Sequence, residues 1–456
     1  MTIPRPQNHR LSELPQPQPL QQQENHIHDH HQINHNPLAM ERLIAELAVQ
    51  RAALLTKHVL RTLDNLPPPS PTCVTPINGN FLNLHFPWQQ QHPSSKRLQS
   101  PSRQRNSSLA ARDGRRLSIA KSDASPVTIA DFAAQALLIS AIHHAFPADG
   151  FVGEEDSHAL RQDPDLTKQV WELVSSTRLS DPAAEALLAR PNSVEEMFET
   201  IDLGGRGLGG QAFPARRFWA MDPIDGTSAF LKGGQYAVSL ALIDGGKEVL
   251  GVLGCPNLPP QLLLSPEGGV HVTEEDVDRE GMGLMLSAVR GQGSATARPM
   301  TKAGLSGNTT IIQRDAQGKV DAQDLHFVDS TLSTATISRK VQNLALRVGA
   351  RYPGTEIYSS HMRYATMVLG SREHTQVRFP VTPSKPWCLW DHAGSQLIYT
   401  ESGAGKVTDL LGRPIDFGTG RKLSGNWGLI TADESVHDEI LDMVTEMLEE
   451  EKLSSS

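Results

Sequence analysis

The chain has 456 residues, 38% of them hydrophobic, and a formal net charge of −9 at pH 7. This length is enough for two or three domain-sized units, and the acidic balance argues against nucleic acid or an anionic membrane as a partner. The three cysteines, Cys73, Cys255 and Cys388, form no C-x-x-C pair, which argues against a disulfide framework and against a zinc site.

Residues 1–37 are rich in Gln, Pro, Asn and His, and they contain too few apolar side chains to offset the entropy lost on ordering. We therefore expect a disordered tail, although its histidines would also suit a metal-binding tract. The N-terminus lacks the apolar core of a signal peptide, and no apolar run approaches the roughly 18 residues of a membrane span. These features predict a cytoplasmic or nuclear location and no membrane partner.

Residues 38–64 are predicted to form the first core helix, because apolar side chains recur there at helical spacing. Residues 65–117 are a Pro-, Ser-, Gln- and Asn-rich insert, and a loop of this length inside a compact domain predicts disorder. Its basic part, residues 96–118, ends in Arg-Arg-Leu-Ser, a pattern typical of kinase substrates and of nuclear import signals. A solvated basic loop is the simpler interpretation, and contact with a kinase or an import factor stays open.

The chain reads as globular from Ser118 to about Glu450. Thr128 and Asp131 have the spacing of a capping box, which predicts the start of a helix. An Asp-Gly-Gly turn separates two later runs that resemble strands. Those two runs and a closing helix are predicted over residues 238–243, 249–253 and 435–450.

The stretch WAMDPIDGTSAF, residues 219–230, places Asp222 and Asp225 on either side of Pro223. The apolar residues before Asp222 predict the end of a buried strand, and ligands of α/β proteins bind at the carboxyl ends of strands. Two carboxylates held close together are destabilising unless a cation lies between them. The stretch therefore predicts a metal site.

Three further segments place acids beside small residues at the boundaries of predicted elements. Each acid alone also fits a simple capping or solvated role. Together they offer the oxygen ligands that Mg²⁺ prefers, and the lack of a nearby Cys or His pair disfavours zinc and copper. The segments are KSDASPVT with Asp123, VGEEDS with Glu154 and Glu155, and WDHAGS with Asp391.

The residues after Asp225 fit a phosphate ligand. Gly226 lets the backbone approach a ligand closely, the N–H groups of residues 226 and 227 could receive a phosphate oxygen, and the Thr227 hydroxyl could relay a proton. Two bound metals would activate a water and stabilise the leaving oxygen. The pattern indicates metal-assisted hydrolysis of a phosphate monoester.

These segments together resemble the lithium-sensitive, magnesium-dependent phosphatases of the inositol monophosphatase and fructose-1,6-bisphosphatase superfamily. Within this superfamily, the sequences of the motifs are most similar to those of fungal and plant 3′(2′),5′-bisphosphate nucleotidases. The resemblance covers residues 40–64 and 118 to about 450. The most similar stretches are AVQRAALLTKHVL, KSDASPVTIADFAAQALL, FPADGFVGEED, FWAMDPIDGTSAFLKGGQYAVSLALI and PWCLWDHAG.

The resemblance implies an α/β fold, a sandwich layered α-β-α-β-α. It implies a metal site in an N-terminal α+β part, residues 118–245, and a nucleotide pocket in a C-terminal α/β part, residues 246–450. Asp123 and Thr227 would activate the attacking water. The implied Mg²⁺ ligands are Glu154, Asp222, the Ile224 carbonyl, Asp225 and Asp391.

The implied substrate is adenosine 3′,5′-bisphosphate, which loses its 3′-phosphate to give AMP; its 5′-phosphosulfate analogue is often accepted. Such an enzyme acts in sulfate assimilation, and its inhibition by lithium links it to salt tolerance. The implied substrate contacts are Gly226, Thr227, Ser360, Arg363, Arg378 and Asp391.

The sequence departs from the family pattern around the nucleotide pocket. A histidine expected in a serine-rich segment is absent from Asp329–Thr334, and Ser228-Ala229 replaces the usual Lys-Gly after DPIDGT. Two alternatives therefore stay open. The protein could hydrolyse inositol phosphates or another small phosphate monoester, or it could be a weakly active regulator that binds nucleotides.

Overall fold

The computed structural model describes residues 38–64, 118–120, 126–205, 217–264, 272–315, 318–331, 333–382 and 387–455. The predicted tail, the insert over residues 65–117 and Asp123 lie outside these residues. Residue contacts group Arg42–Ser456 as one unit and Met1–Glu41 as another, of which residues 38–41 are described. Within the described ranges, no helix combines the length and apolarity needed to cross a bilayer.

The larger sheet has seven strands in the order β3-β4-β5-β6-β7-β8-β9. β3 and β4 are parallel, and every later neighbour is antiparallel. Its strands are β3 (Gly150–Gly153), β4 (Arg217–Asp225), β5 (Ala237–Asp244), β6 (Lys247–Cys255), β7 (Leu284–Val289), β8 (Ala295–Pro299) and β9 (Thr310–Ile312). The predicted strand runs at residues 238–243 and 249–253 are confirmed as parts of β5 and β6. The sequence analysis placed a boundary between two parts of the chain at residue 245. The larger sheet has strands on both sides of that residue, and the boundary stays a prediction.

The smaller sheet has five strands in the order β11-β10-β12-β14-β13. β10 is parallel to β11 and β12, whereas β14 is antiparallel to β12 and β13. Its strands are β10 (His326–Asp329), β11 (Thr355–Glu356), β12 (His374–Arg378), β13 (Lys406–Thr408) and β14 (Leu429–Ala432). A separate pair, β1 (Ser118–Ala120) and β2 (Pro126–Thr128), is antiparallel.

Several helices begin at side-chain caps that the sequence supplies. α2 follows Thr128, whose hydroxyl accepts a hydrogen bond from the Ala130 N–H at 3.1 Å, while the Asp131 carboxylate accepts one from the Thr128 N–H at 2.8 Å. This confirms the predicted capping box. The α-helices are α1 (Ala39–Asp64), α2 (Ile129–Ala145), α3 (His158–Gln162), α4 (Pro164–Ser176), α5 (Pro182–Glu185), α6 (Val194–Gly205), α7 (Thr227–Phe230), α8 (Ser338–Val348), α9 (Ser360–Leu369), α10 (Ser395–Glu401) and α11 (Glu434–Ser455).

The elements stack in five layers. Apolar faces of α1, α2, α4 and α6 form one core beside the larger sheet, and α9 and α10 fill the space between the two sheets. α8 and α11 cover the far side of the smaller sheet. Because each sheet buries both faces against helices, nearly every position of β5 and β7 is buried. The α-β-α-β-α fold class expected from the resemblance is confirmed.

The segment that follows Asp391 rests directly on the larger sheet. The Gly394 N–H donates to the Glu248 carboxylate at 2.6 Å, and the Ser239 hydroxyl donates to the Ala393 carbonyl at 3.3 Å. A Cβ added at Gly251 would overlap the backbone of Gly394. The approach is so close that β6 has no room for a side chain at position 251.

Gly251→Ala should therefore destabilise the protein, because the added methyl group forces the Gly394 segment away from β6. We expect a loss of about 1–3 kcal/mol in the free energy of unfolding, as for other overpacked sites. Gly307→Ala is the matched control, since a Cβ there meets nothing within 4 Å. Chemical denaturation measures both variants, and equal stabilities would contradict the close approach.

Glu248 predicts a pH dependence of stability. Burial raises the pKa of its carboxyl from the ordinary 4.5 to about 7, against the lowering effect of the Gly394 N–H. A raised folded-state pKa contributes stability below pH 4.5 that is lost as the pH rises through about 7. Glu248→Gln removes this dependence. Between pH 4.5 and about 7, the unfolding free energy of the variant relative to that of the wild type should therefore rise by something on the order of 3 kcal/mol. Denaturation curves at several pH values check it, and parallel stability profiles would exclude a shifted Glu248.

Candidate active site

Two acids lie at the end of β4, as the sequence predicts. Asp222 and Asp225 are 2% and 8% exposed. The register with β5 shifts between them, where Pro223 interrupts the strand, and the Asp222 carboxylate accepts a hydrogen bond from the Ile224 N–H at 3.1 Å. The irregular strand end therefore holds both carboxylates inside the protein.

The backbone turns sharply after Asp225. Gly226 has a positive φ of 89°, which favours glycine, and a Cβ there would lie 2.8 Å from the Cβ of Ser359. α7 begins at Thr227, whose hydroxyl donates to the Ile224 carbonyl at 3.1 Å. The turn thus brings the start of α7 and the end of β4 to one place.

Asp225 is also fixed by α9. One oxygen of its carboxylate accepts hydrogen bonds from the Ser359 hydroxyl at 2.5 Å and from the His361 N–H at 2.6 Å. A carboxylate at the start of a helix is stabilised by the free N–H groups and by the helix dipole. No local pattern marks this contact, because Ser359 and His361 lie 134 and 136 positions from Asp225.

Two further predicted acids approach this pair. Glu154 follows β3 and is half-buried, and Asp391 ends a short 3₁₀ helix, Leu389–Asp391. Burial, followed by the charges of Glu154, Asp225 and Asp391, raises the pKa of Asp222 well above its ordinary value. Burial, followed by the charges of Asp225 and Glu154, raises the pKa of Asp391 to about 7. The structure therefore brings four predicted acids together in one buried cluster.

Asp131 belongs to the same electrostatic neighbourhood, since its charge also raises the pKa of Asp222. The sequence identified Asp131 only as a helix cap. Its place in the first turn of α2, three residues after the end of β2, was the signal that could have added it to the acid segments. Asp123 lies outside the described residues, so its predicted role stays a prediction.

The acid cluster has the chemistry of a site for a hard divalent cation. Several buried carboxylates that raise each other's pKa are stabilised in their charged forms by a nearby cation, and their oxygens are the ligands that Mg²⁺ prefers. The described residues include no group of three or more His, Cys, Asp or Glu side chains that could hold a metal ion as they stand. The fit therefore rests on the charge and burial of the donor set.

Two basic residues border the cluster. Arg421 donates to the carbonyls of Gly153 and Gly204, both at 2.8 Å, and its guanidinium lies 4.5 Å from the centroid of the Trp390 ring. It thereby joins the residue before Glu154 to the residue before Asp391. The charges of Arg378 and, to a smaller extent, Lys422 lower the pKa of Asp391. Neither residue was singled out from the sequence, since no local pattern marks them.

The predicted nucleotide contacts also lie together. Ser360 begins α9, and its hydroxyl accepts hydrogen bonds from Arg363 at 2.9 Å and from Arg378 at 3.4 Å. The Arg378 guanidinium lies 4.7 Å from the centroid of the Trp387 ring, and its Nε is buried without a hydrogen-bond partner among the described residues. Arg378 is therefore the basic group of this trio with unused donor capacity.

Arg363 is held largely by the protein itself. Besides Ser360, its guanidinium donates to the Gln376 side chain at 2.6 Å and to the carbonyls of Ile357 and Tyr358 at 2.9 and 3.2 Å. Burial, and secondly the charge of Arg378, lowers the pKa of Arg363 to about 10. These four partners hold the loop before α9 in place; a direct grip on a phosphate, which the sequence suggested, stays a prediction.

The chain is similar to known proteins along most of its length. The model of the inositol monophosphatase family matches residues 96–448. The chain is 36% identical over 331 residues to the 3′(2′),5′-bisphosphate nucleotidase of Emericella nidulans, covering 72% of this chain and 90% of that protein. It is 34% identical over 324 residues to the protein of the same name from Schizosaccharomyces pombe, covering 71% and 85%.

Among solved structures, the extragenic suppressor protein suhB of Bartonella henselae matches with 17% identity and a TM-score of 0.41, over 72% of this chain and 89% of that one. The family match and the two fungal relatives each cover more than two thirds of the chain, and the residues of the family match include the acid segments. The chain belongs to the inositol monophosphatase family.

Proposed function

We propose that this protein is a 3′(2′),5′-bisphosphate nucleotidase, which hydrolyses the 3′-phosphate of adenosine 3′,5′-bisphosphate to give AMP and phosphate. The observation that carries this proposal is the buried cluster of Glu154, Asp222, Asp225 and Asp391, beside a helix start that presents basic residues. The fungal relatives with this name support the choice of substrate. The 5′-phosphosulfate analogue would be a second substrate, which places the activity in sulfate assimilation.

The metal is Mg²⁺ in this proposal. Its holders would be the four acids of the cluster and the Ile224 carbonyl, which already accepts a hydrogen bond from Thr227. When bound, Mg²⁺ polarises the phosphoryl oxygens and lowers the pKa of a water. Its positive charge would also offset the repulsion that raises the pKa values of Asp222 and Asp391.

The chain's own groups would hold the phosphate and the attacking water. The N–H groups of Gly226 and Thr227 lie where the backbone turns into α7 and would donate to a phosphate oxygen. As the water attacks, the Thr227 hydroxyl would take up its proton and give its own proton to the Asp123 carboxylate, which would act as the base. The buried setting of Asp222 and Asp225 would limit the access of other waters to the reacting phosphate.

The second phosphate of the substrate would bind at Ser360 and Arg378. Arg378 has a buried Nε without a partner among the described residues, and guanidinium groups bind phosphate through paired hydrogen bonds. Arg363 would contribute through Ser360, since its hydrogen bond fixes that hydroxyl. Selectivity for a nucleotide over an inositol phosphate would depend on this region.

One observation favours a different phosphate monoester. The segment Asp329–Thr334 lacks the histidine of the family pattern, and Asp329 instead accepts a hydrogen bond from the Tyr352 hydroxyl at 2.7 Å. A pocket without that histidine offers one fewer donor to a nucleotide. An inositol bisphosphate is therefore the second candidate substrate.

The test is phosphate release from adenosine 3′,5′-bisphosphate and from inositol 1,4-bisphosphate, with and without Mg²⁺ and lithium. We expect Mg²⁺-dependent, lithium-sensitive release that favours the nucleotide. Asp222→Asn should lower the rate at least about 100-fold, because it removes a carboxylate ligand. Changes to the groups that surround a metal ligand already lower activity by about 10- to 100-fold. Without metal the variant should be as stable as the wild type or more so, because it relieves repulsion in the cluster.

Asp442→Asn is the matched control, since Asp442 is exposed on α11. Normal turnover in Asp222→Asn would refute the acid cluster as the metal site. Release from the inositol phosphate alone would replace the proposed substrate, and nucleotide binding without release from either compound would support the regulator.

Arg378→Ala should weaken binding of adenosine 3′,5′-bisphosphate and leave that of a small phosphate such as p-nitrophenyl phosphate nearly unchanged. The loss of a charge-assisted hydrogen bond predicts a rise of about 10- to 100-fold in KM for the nucleotide. Arg347→Ala, which removes an exposed arginine paired with Glu450, is the control. Equal losses for both substrates would show that Arg378 does not recognise the nucleotide's second phosphate.

A further inference from the structure

The first turn of α9 lies between two of the acid-bearing segments. On one side, the Ser359 hydroxyl and the His361 N–H both donate to Asp225. On the other side, the His361 side chain reaches the segment that contains Asp391. His361 therefore contacts Asp225 through its backbone N–H and the residue before Asp391 through its ring.

The imidazole of His361 is completely enclosed, with 0% exposure. Its Nε2 lies 2.7 Å from the Trp390 carbonyl, and its Nδ1 lies 2.7 Å from the Ser395 hydroxyl. A carbonyl oxygen only accepts hydrogen bonds, so Nε2 carries the proton and donates to Trp390. Trp390 is the residue before Asp391, and Ser395 is the first residue of α10.

The cluster needs such a connection because its members repel one another. Asp225 and Asp391 both carry carboxyl groups, and like charges held close repel one another, so the two segments would move apart unless other contacts held them. The hydrogen bonds of His361 oppose this movement directly, since they join the Asp225 carboxylate to the carbonyl of Trp390, the residue before Asp391. An imidazole has only two side-chain torsions and both of its nitrogens are engaged, so the connection is short and stiff.

We propose that His361 is a positioning residue that sets the separation of Asp225 and Asp391 and thereby the affinity of the site for Mg²⁺. This inference rests on the proposed function. His361 itself touches neither metal nor substrate; it acts through the two acids. Mg²⁺ demands nearly ideal octahedral geometry, so a small relative shift of the two segments weakens its binding.

The variants His361→Gln and His361→Asn separate the two contacts of the ring. A glutamine amide nitrogen lies as many bonds from the backbone as Nε2 and can still donate to the Trp390 carbonyl. An asparagine amide reaches the position of Nδ1, near Ser395, but not Trp390. The Trp390 contact is the one that ties down Asp391, so the two variants should differ.

The measurements are Mg²⁺ affinity by calorimetry, the rise in Tm with added Mg²⁺, and the Mg²⁺ dependence of phosphate release. His361→Asn should weaken Mg²⁺ binding by about tenfold, as expected when a group that orients a metal ligand is lost. His361→Gln should stay within about threefold of the wild type. At saturating Mg²⁺, the KM for the substrate should be unchanged in both.

His437→Asn is the matched control, because His437 is equally buried and bonds Thr408 at 3.0 Å in the outer layer. It should lower Tm without changing Mg²⁺ affinity. The same behaviour in His361→Asn, a lower Tm with wild-type Mg²⁺ affinity, would overturn the inference. If the wild type neither binds Mg²⁺ nor depends on it, the proposed function itself fails, and that outcome is distinct.

Discussion

The mutual repulsion of four carboxylates at the end of β4 is the constraint on which this structure depends. Asp222 and Asp225 come from one irregular strand end, and Glu154 and Asp391 join them from two other segments. Burial, followed by the charges of the neighbouring acids, favours the neutral forms of Asp222 and Asp391. The protein therefore surrounds the cluster with groups that hold each segment by its backbone: Arg421 holds the carbonyl before Glu154, and Glu248 holds the Gly394 N–H beyond Asp391.

The layered architecture explains how these holders reach the cluster. α9 and α10 occupy the layer between the two sheets, and both begin beside the acids. α9 therefore carries the hydrogen bond between Arg363 and Ser360, and the His361 N–H in its first turn donates to Asp225. Arg378, at the end of β12 in the smaller sheet, completes the basic border. Each sheet thus supplies a different part of the site, and the central helices connect the parts.

Local patterns predicted part of the site, because acids at a strand end and a capping box at a helix start are short signals in the sequence. The capping box at Thr128 and the acids around Pro223 are of this kind. The groups that position the acids were not predictable, since Ser359, His361 and Arg421 act over long separations without a local signal. Arg363 shows the opposite limit: the sequence indicated a phosphate contact, and the structure shows a guanidinium bonded to two carbonyls and two side chains. Such competition among partners depends on the folded environment.

The contacts around Asp391 have a consequence for the way the chain folds. The Gly394–Glu248 hydrogen bond spans 146 residues, the Ser359–Asp225 bond 134 and the Arg421–Gly153 bond 268. Contacts of high sequence separation require the closure of long loops and form slowly. The acid cluster is thus assembled only when both sheets and the central helices are in place. A nascent chain that ends before Arg421 lacks both this contact and β14 of the smaller sheet, so the C-terminal region decides when activity begins during synthesis.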